Sequence, residues 1–545
     1  MTAIPPHLPA RSQASVGASA APAPAGTQGC PKVRTRSGFP DNVRVNQDCG
    51  WVQQAEEWVD VNPAATSNVV VSENEGSGTN TGYNQTAVSP SKSGGTTYYR
   101  EMTPPGLNRV PNSLGGTTPY ARCSDPASAH DGQGNYFYSC VGFNIPYGPE
   151  SAVLVWRSNH CFQGTVLHYP ADQSCSNTVL HYRPVTVVDN LSNLALFWDK
   201  ELMAADRFSS SPYNGQVYVT ATRFDFHCGQ QHVNYCESPI WFFKSSDGGV
   251  TWSGSEISGV NSDVCAFGDA FNKKLDSSSC NFDQGSYPVV ERSGAIDVTY
   301  NNCNTPTFVC QQLFVRSTDG GDTWSTPVKV ADDYDLQPYN VGNTPDQYGC
   351  PPFNPCLPPN GYRLNDFPSM GVDLNTGKLA VFWADFRNGG PCATAFGLPT
   401  TPCDNENNDV FASVSTDHGA TWGPTRKVSG GGLAADWQPW GDVGENGNLY
   451  VGYYTRTVGS NESTGRNDIF LASSSNNGQS WTRKRITTSS MPNMTCQDNS
   501  VECGFLGDYM SIERFGGTVY LVWGDTRPHA GTAPDSDVYF AKLSV

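Results

Sequence analysis

One eight-residue pattern, Ser-x-Asp-x-Gly-x-Thr-Trp, recurs along the chain and restricts its fold more than any other feature. It reads SSDGGVTW at 245–252, STDGGDTW at 317–324, STDHGATW at 415–422 and, in a softened form, SSNNGQSW at 474–481. An Asp that accepts bonds from the N–H groups of its own turn, followed by a Gly that can adopt φ > 0, is typical of a tight turn between two strands. The closing Trp is a large apolar side chain that requires burial. Four copies predict a repeat protein with strands in each unit.

The sequence around these octets predicts antiparallel strands. Runs of alternating apolar residues begin with Gly at 215–223, 294–301, 377–387, 447–456 and 517–527. A short strand precedes each run and another follows it, so each unit has about four short strands. Such units are the blades of a β-propeller. The composition agrees, because 55 Gly, 39 Pro and only 15% charged residues suit many short strands and turns.

Two further units upstream bring the predicted number of blades to seven, with six as the fallback. One unit covers 124–157, and the N-terminal one begins at 58 and ends in a decayed octet, SKSGGTTY, at 91–98. The last unit has only three strands, and residues 42–46 could supply the missing outer strand and close the ring. We therefore expect an all-β chain with a disordered, Ala-, Pro- and Ser-rich leader over residues 1–38. Residues 39–545 would form a single propeller of four-stranded antiparallel blades.

The octet is similar to the Asp-box, or BNR repeat, and the chain resembles the sialidase-type β-propellers that carry it. In that family three arginines hold the carboxylate of the sugar, a Tyr with a Glu partner is the nucleophile, and an Asp is the acid/base. The resemblance implies a secreted glycoside hydrolase of the exo-sialidase type, which removes terminal acidic sugars from glycoconjugates. The Phe/Tyr-Arg-Ile-Pro segment of the family has only a distant counterpart here, RVP at 109–111.

Acidic residues recur where the innermost strands of the predicted blades begin, and propellers usually bind ligands over this end of the central channel. The predicted catalytic residues are Asp125, Asp199, Asp366, Asp508, Tyr509 and Glu513, and Asp436 shares the position of the other acids. Acids around a channel could act as general acid and base, or could hold Ca²⁺. Tyr509 and Glu513 match the nucleophile pair of the family. The structural alternative is that each acid caps the turn that enters its blade.

Arginines end the second strand of several predicted blades and are the candidate substrate-binding residues. They are Arg223, Arg387, Arg456 and Arg527. Converging guanidinium groups suit a sugar carboxylate, because each offers two parallel donors. A structural alternative pairs the last three of them with an Asp on the third strand of the same blade, at 409, 468 and 537.

The charge and the cysteines of the chain restrict its partners and its compartment. A net charge of −18 argues against nucleic acid or an anionic membrane as partner, and no apolar run is long enough to span a bilayer. The 18 cysteines indicate an oxidising compartment, and local disulfides such as Cys303 with Cys310 are the preferred pairing. We expect a secreted, monomeric protein, although no export signal is visible in the chain.

The predicted function does not require a cofactor. Residues 404–409, which read DNENND, could bind Ca²⁺, but the expected site contains no metal. Two other functions fit the same residues. The first is a non-catalytic propeller that binds a glycan or a protein, and the second is a polysaccharide lyase that acts on uronic acids.

Overall fold

In the computed structural model, the described residues form a seven-bladed β-propeller of antiparallel sheets with almost no helix, which confirms the preferred fold. The structure describes residues 32–47, 54–78, 83–99, 101, 103–144, 148–158, 184–227, 236–266, 276–305, 309–334, 356–357, 362–365, 367–388, 394–395, 398–399, 407–432, 434–458, 466–492, 506–527 and 536–545. Most of the predicted leader and residue 366 lie outside these ranges.

We number the blades 1–7 in chain order and the strands of each blade outward from the central channel. Blade 1 contains Gln54–Val61, Val69–Gly78 and Tyr83–Ser91, and blade 2 contains Arg122–His130, Tyr136–Phe143, Ser151–Ser158 and Val185–Asp189. Blade 3 contains Leu196–Ala205, Val217–Asp225, Ile240–Ser245 and Ser253–Glu256, and blade 4 contains Asp283–Val290, Ile296–Asn302, Cys310–Ser317 and Val328–Asp333. Blade 5 contains Ser369–Val372, Leu379–Asp385, Asp409–Ser415 and Arg426–Lys427, and blade 6 contains Asp436–Val443, Leu449–Thr455, Asp468–Ser474 and Thr482–Arg485. Blade 7 contains Ser511–Phe515, Thr518–Asp525 and Asp537–Ser544.

An N-terminal strand completes blade 7. Asn42–Arg44 pairs antiparallel with Asp537–Ser544, so that Val43 lies opposite Phe540, and Val33–Arg34 adds a fifth strand outside it. The buried guanidinium of Arg44 lies 2.9 Å from a carboxylate oxygen of Asp537. Residues 33–44 and 537–544 are thus joined in one sheet, which pairs the outer edge of the last blade.

Side-chain hydrogen bonds fix each octet turn. In the first of them Asp247 accepts bonds from the N–H and the hydroxyl of Thr251, at 2.9 and 2.6 Å, and Ser245 accepts one from the N–H of Gly249 at 2.8 Å. The octets at 317–324 and 415–422 repeat these bonds, and Asn476 replaces Asp in the fourth. The bonds from the hydroxyl and N–H of Thr323 lower the pKa of Asp319 to about 2.

The decayed octet of blade 1 keeps the same geometry without a carboxylate. Ser93 stands where the other octets have Asp, and its hydroxyl accepts a bond from the N–H of Thr97 at 2.9 Å. Ser91 accepts one from Gly95 at 2.9 Å. Tyr98 takes the place of the Trp and is buried with its ring 5.7 Å from that of Phe540 in blade 7.

The octets hold neighbouring blades together. Gly321 in blade 4 adopts a φ of +84°, and a Cβ atom at this position would lie 2.2 Å from the ring of Phe242 in blade 3. Trp324 packs on the same ring, at a centroid distance of 4.9 Å. Trp422 packs in the same way on Phe314, at 5.4 Å. In each turn, the backbone of a Gly and the ring of a Trp therefore pack against the preceding blade, which is why the pattern requires both residues.

Three disulfides that have both cysteines among the described residues join cysteines that are neighbours in the sequence. They are Cys123–Cys140, Cys265–Cys280 and Cys303–Cys310. Local pairing is confirmed for Cys303 with Cys310. The sequence also favours the local pairs 161/175, 392/403 and 496/503, which lie outside the described residues. Among the described residues, no helix has the length and apolar character that crossing a bilayer requires.

Replacing Gly321 with Ala tests the contact between blades. We expect Gly321→Ala to destabilise the protein by roughly 1–3 kcal/mol more than Gly215→Ala, because the new methyl group collides with a packed ring. Gly215 is the matched control, since its φ of +86° is the same but nothing lies within 4 Å of its Cβ position. Thermal unfolding followed by circular dichroism gives the comparison. Equal losses in the two variants would mean that the left-handed backbone alone, and not the contact between blades, requires the Gly.

Candidate functional site

A β-bulge interrupts the innermost strand of five blades close to the point where the strand begins. The bulged residues have positive φ, namely Glu56 at 59°, Asp125 at 59°, Lys200 at 54°, Gly285 at 63° and Gln438 at 52°. A left-handed conformation costs a residue with a side chain about 1–2 kcal/mol, so the surrounding fold must impose it. Bulges of this kind redirect a side chain and are frequent beside functional sites.

Four charged side chains meet at this end of the channel, and we call them the Lys200 cluster. They are Glu56, Asp125, Lys200 and Asp508. The ammonium group of Lys200 donates a hydrogen bond to Asp508, and it lies 3.4 Å from an oxygen of Asp125 and 3.8 Å from one of Glu56. All four side chains are at least nine-tenths buried. One cation therefore faces three carboxyl groups in a place where the effective dielectric constant is low.

The pKa values in this region move in opposite directions. Burial by itself would raise the pKa of Asp125, but Lys200 and hydrogen bonds with Glu56 and Asp199 lower it. Burial raises the pKa of the neighbouring Asp199 to about 8, and the charge of Asp125 adds to this effect. Burial and then the charge of Asp125 also raise the pKa of Glu56. The cluster thus combines an ionised carboxylate with neighbouring carboxyl groups that retain their protons near neutral pH.

Amide side chains hold the carboxylates in place. Asn365 donates a hydrogen bond to Asp508, and Asn74 donates one to Glu56. The side-chain oxygen of Asn74 in turn accepts a bond from the N–H of Asp125 at 3.1 Å. Amide donors therefore fix the carboxylates of Glu56 and Asp508, and Asn74 also connects Glu56 to the backbone of Asp125.

An aromatic plug fills the channel below the Lys200 cluster, and consists of Trp58, Tyr287, Trp440 and Tyr509. Their ring centroids lie 5.0–6.1 Å apart. The first three of these residues follow a bulged residue by two positions, and their rings form the next layer of the channel. The plug separates the cluster from the opposite end of the channel.

The two residues of the proposed nucleophile pair lie at different levels of the channel. Tyr509 belongs to the aromatic plug, and Glu513 lies beyond it. The hydroxyl of Tyr509 donates a hydrogen bond to the carbonyl oxygen of Pro126 at 3.0 Å, and burial raises its pKa well above the usual value. Glu513 lies four residues further along the chain, within the innermost strand of blade 7, where it pairs with Arg207 at 3.0 Å. Burial raises the pKa of Glu513 to about 8, with a contribution from the charge of Asp60.

Each of three candidate arginines binds an acid of its own blade. Arg223 lies 2.8 Å from Glu237 in blade 3. The Nε of Arg387 donates to Asp385 at 2.9 Å, and the Nε of Arg527 donates to Asp525 at 2.8 Å. The fourth, Arg456, is fully buried with its guanidinium 5.1 Å from the centroid of the Trp437 ring.

Two of these pairs belong to a local motif, Trp-x-Asp-x-Arg. In WADFR at 383–387 and WGDTR at 523–527, the Asp also accepts a bond from the indole N–H of the Trp two residues before it, at 3.0 and 2.9 Å. The predicted partners of these two arginines were therefore wrong. Asp409 pairs instead with Lys427, and Asp537 pairs with Arg44. The third predicted acid, Asp468, pairs with Arg485.

Two sequence-based candidates remain outside this account of the cluster. Asp366 lies outside the described residues, as do residues 404–406 of the proposed Ca²⁺ loop. The carboxylate of Asp436 is buried within blade 6, where burial raises its pKa to about 7 and Thr455 donates a hydrogen bond to it. Within the described ranges, no group of three or more His, Cys, Asp or Glu side chains is arranged to hold a metal ion.

Phenylalanines gather beside Asp199 on the face where the innermost strands begin. Phe197 and Phe224 are buried, and Phe143, Phe226 and Phe282 are partly exposed against them. Phe197 precedes Asp199 by two residues in the same strand. This face therefore carries apolar rings two residues along the strand from a carboxyl group whose pKa is raised.

Sequence reasoning missed Lys200 and Glu56. The signal is present, because FWDKEL at 197–202 and QAEEW at 54–58 place consecutive charged residues inside strands that are otherwise apolar. Such a run cannot alternate between a buried and an exposed face, and both runs coincide with a bulge.

No family model matches the chain, and a search of curated proteins found no match either. Among solved structures, a protein of unknown function from Dyadobacter fermentans is 11% identical over 94% of this chain and 100% of that chain, with a TM-score of 0.43. The alpha-L-arabinofuranosidase Arb93A from Fusarium graminearum is 13% identical over 81% and 96%, with a TM-score of 0.41. NanB sialidase from Streptococcus pneumoniae is 11% identical over 93% and 70%, with a TM-score of 0.38. The chemistry of the site rests on the residues of this chain alone.

Removing the cation of the Lys200 cluster should destabilise the protein most at high pH. We expect Lys200→Met to cost roughly 3–5 kcal/mol at pH 8, because it leaves buried carboxylates without their counter-charge. The loss should shrink at pH 5. The pKa values of Glu56 and Asp199 are raised in the folded state, so their contribution to stability is present at low pH and is lost as the pH rises.

Thermal unfolding at pH 5 and pH 8 tests this expectation. Lys244→Met serves as the control, because Lys244 pairs with the exposed Asp322 and should contribute less than about 1 kcal/mol at either pH. A loss for Lys200→Met that does not change with pH would contradict the proposed coupling between Lys200 and the acids.

Proposed function

We propose that the chain is a glycoside hydrolase that works at the Lys200 cluster. The main support for this proposal is that two neighbouring carboxyl groups have pKa values shifted in opposite directions. Asp125 beside Lys200 has a lowered pKa, and burial raises the pKa of Asp199 to about 8. Pairs of carboxyl groups whose pKa values are pushed apart divide the acid and the anionic roles in cleavage of a glycosidic bond.

Each carboxyl group has a separate role in this proposal. Asp199 is more exposed than Asp125 and has a raised pKa, so in this proposal it keeps its proton at neutral pH and donates it to the leaving oxygen. Asp125 holds the negative charge that keeps Asp199 protonated. Asp508, held by Lys200 and Asn365, supplies the second carboxylate, on the side of the attacking group. Tyr509 and Glu513 have no step in it, because their side chains lie in the plug and beyond it.

The substrate in this proposal is a glycan that approaches the face where the innermost strands begin. The partly exposed phenylalanine rings beside Asp199 suit the apolar face of a sugar ring. A terminal acidic sugar, as in an exo-sialidase, is the finer assignment. Its support is the resemblance carried by the octets, in which each Asp accepts a hydrogen bond from the N–H of the Thr in its own turn. The pairing of three arginines within their blades leaves the carboxylate of such a sugar without the predicted clamp.

We also assign the protein to the outside of the cell. Three disulfides in blades 2–4 support this assignment, because disulfides persist in oxidising compartments.

A non-catalytic glycan-binding propeller is the second candidate. The observation that favours it is the near-complete burial of Lys200 and Asp125, whose charges are compensated within the protein. A cluster of this kind can also serve to close the channel, in which case the sugar would bind to the face above it without being cleaved.

Replacing the proposed acid separates the two candidates. We expect the parent protein to hydrolyse at least one aryl glycoside in a panel of sialic acid and neutral sugars, and Asp199→Asn to lower kcat by roughly 10²–10⁴-fold. The loss should be smaller with a dinitrophenyl leaving group, which needs little protonation. Activity of the parent should decline above pH 8, as the acid loses its proton.

The control is Asp322→Asn, which changes an exposed carboxylate in a surface turn and should leave the rates unchanged. An inactive parent that retains glycans on an array would favour the binding propeller. An active parent whose Asp199→Asn variant is equally active would remove Asp199 from the mechanism.

A further inference from the structure

The outer rim of blades 5–7 carries a band of positive charge, although the chain has a net charge of −18. The outermost strand of blade 5 is Arg426–Lys427, that of blade 6 is Thr482–Arg485, which reads TRKR, and that of blade 7 is Val33–Arg34. Two more cations flank the last of these strands. We call the basic residues of this region the basic rim, and they are Lys32, Arg34, Arg36, Arg426, Lys427, Arg483, Lys484 and Arg485.

Contacts between neighbouring blades make the basic rim continuous. Arg426 borders blade 6, because its Cβ and Cγ atoms lie 3.6 Å from the Cβ position of Gly478 in the octet of that blade. The Nε of Arg483 donates a hydrogen bond at 2.7 Å to the carbonyl oxygen of Val428, just after the outermost strand of blade 5. Nη1 of Arg36 donates one at 3.0 Å to a carbonyl oxygen just after the outermost strand of blade 6. The three strands therefore adjoin one another around this part of the ring.

Most cations of the basic rim are not neutralised within the protein. Lys427 lies 2.5 Å from the buried Asp409, and Arg485 lies 2.6 Å from the buried Asp468. The sequence around the rim offers few other acids, since 1–40, 418–435 and 469–497 contain no Asp or Glu. The exposed cations of the rim that form no ion pair with any described residue are Lys32, Arg36, Arg426, Arg483 and Lys484.

The outermost strands of blades 2–4 have the opposite charge. They are Val185–Asp189, Ser253–Glu256 and Val328–Asp333, and they contain four acids and a single cation. That cation, Lys329, lies 2.5 Å from Asp332 in the same strand. Cations on edge strands often prevent pairing with another chain. This role would apply to every blade, so it does not explain why the cations are concentrated in blades 5–7.

We propose that the basic rim binds an acidic polysaccharide, whose carboxylates pair with the exposed cations of blades 5–7. Guanidinium groups suit this partner, since each can offer two parallel donors to one carboxylate. A polymer with one carboxylate per sugar is repelled less by the overall negative charge of the protein than double-stranded DNA, which carries one charge per about 1.7 Å of its length.

The composition of the basic rim favours a polysaccharide over a protein partner. The centre of an interface between proteins is rich in apolar and aromatic side chains. Val33 is the only apolar residue of the three strands. The ring of Phe39, which lies beside them, is covered by the guanidinium of Arg36 at 4.6 Å from its centroid. The basic rim is also distinct from the proposed hydrolase site, because the Lys200 cluster lies at the central channel.

Calorimetric titration of the full chain with polygalacturonate at low salt tests this proposal, with dextran as the neutral probe. We expect saturable binding that weakens as sodium chloride is added, because neutralisation of charge on binding releases counter-ions. The rim variant combines Arg426→Gln, Arg483→Gln and Lys484→Gln. Its affinity should be roughly tenfold or more lower than that of the parent, with a smaller dependence on salt.

The control variant combines Lys92→Gln, Arg109→Gln and Lys329→Gln, which removes three exposed cations from outside the basic rim and changes the net charge by the same amount. It should bind as the parent does, and circular dichroism should show that both variants are folded. Asp199→Asn should also bind normally, which keeps this test separate from the hydrolase.

The proposal fails if polygalacturonate shows no saturable binding, or if dextran binds equally well. Equal losses in the rim and control variants would also overturn it, because binding would then depend on net charge alone. Tighter binding of double-stranded DNA or of phosphatidylglycerol vesicles would assign the basic rim to another class of partner and would overturn it too.

Discussion

The course of the innermost strands organises the whole channel. The innermost strands run along the channel, so successive residues of one strand contribute to successive layers around the axis. In blade 1 these are Glu56 at the bulge, Trp58 in the plug and Asp60 at a cavity on the other side of the plug. The charged cluster, the aromatic plug and this cavity are therefore successive levels of one arrangement, and their order along the axis is fixed by the register of the strands.

The aromatic plug strengthens the interactions between charged groups at both ends of the channel. It excludes water from one side of the Lys200 cluster and from one side of the cavity, so that charges at each end interact through a medium of low dielectric constant. Burial is accordingly the largest cause of the raised pKa values of Glu56, Asp199, Asp442 and Glu513. The same desolvation makes these groups costly for stability, and the ion pairs and amide donors around them offset part of that cost.

The sequence predicted the fold well and the site only in part. Local hydrogen bonds form the turn of each octet, and contacts with one neighbouring blade require its Gly and its Trp. A short sequence pattern therefore contains most of the information that specifies the blades. The sequence identified Asp125, Asp199 and Asp508 as candidates because they lie where the innermost strands begin. Their relation to Lys200 was not predictable, since it depends on which strands become neighbours around a closed ring. The partners of Arg387 and Arg527 were wrong for a local reason: an Asp two residues away in the same strand is nearer than one on the next strand.

Differences between the repeats locate the chemistry better than their similarities do. The octets recur because every blade must be attached to the one before it, and even the version with Ser93 keeps that geometry. The bulge also recurs, but it presents Glu, Asp, Lys, Gly or Gln in different blades. A structural role of the bulge would be served by the same residue in every blade, and Gly would adopt its positive φ with the least strain. The fold instead retains four strained polar residues around one axis, and it does so at the place where carboxyl groups with opposite pKa shifts meet. A function that requires unlike charges at fixed positions explains this pattern, since a ring of identical residues could not divide the roles of acid and anion.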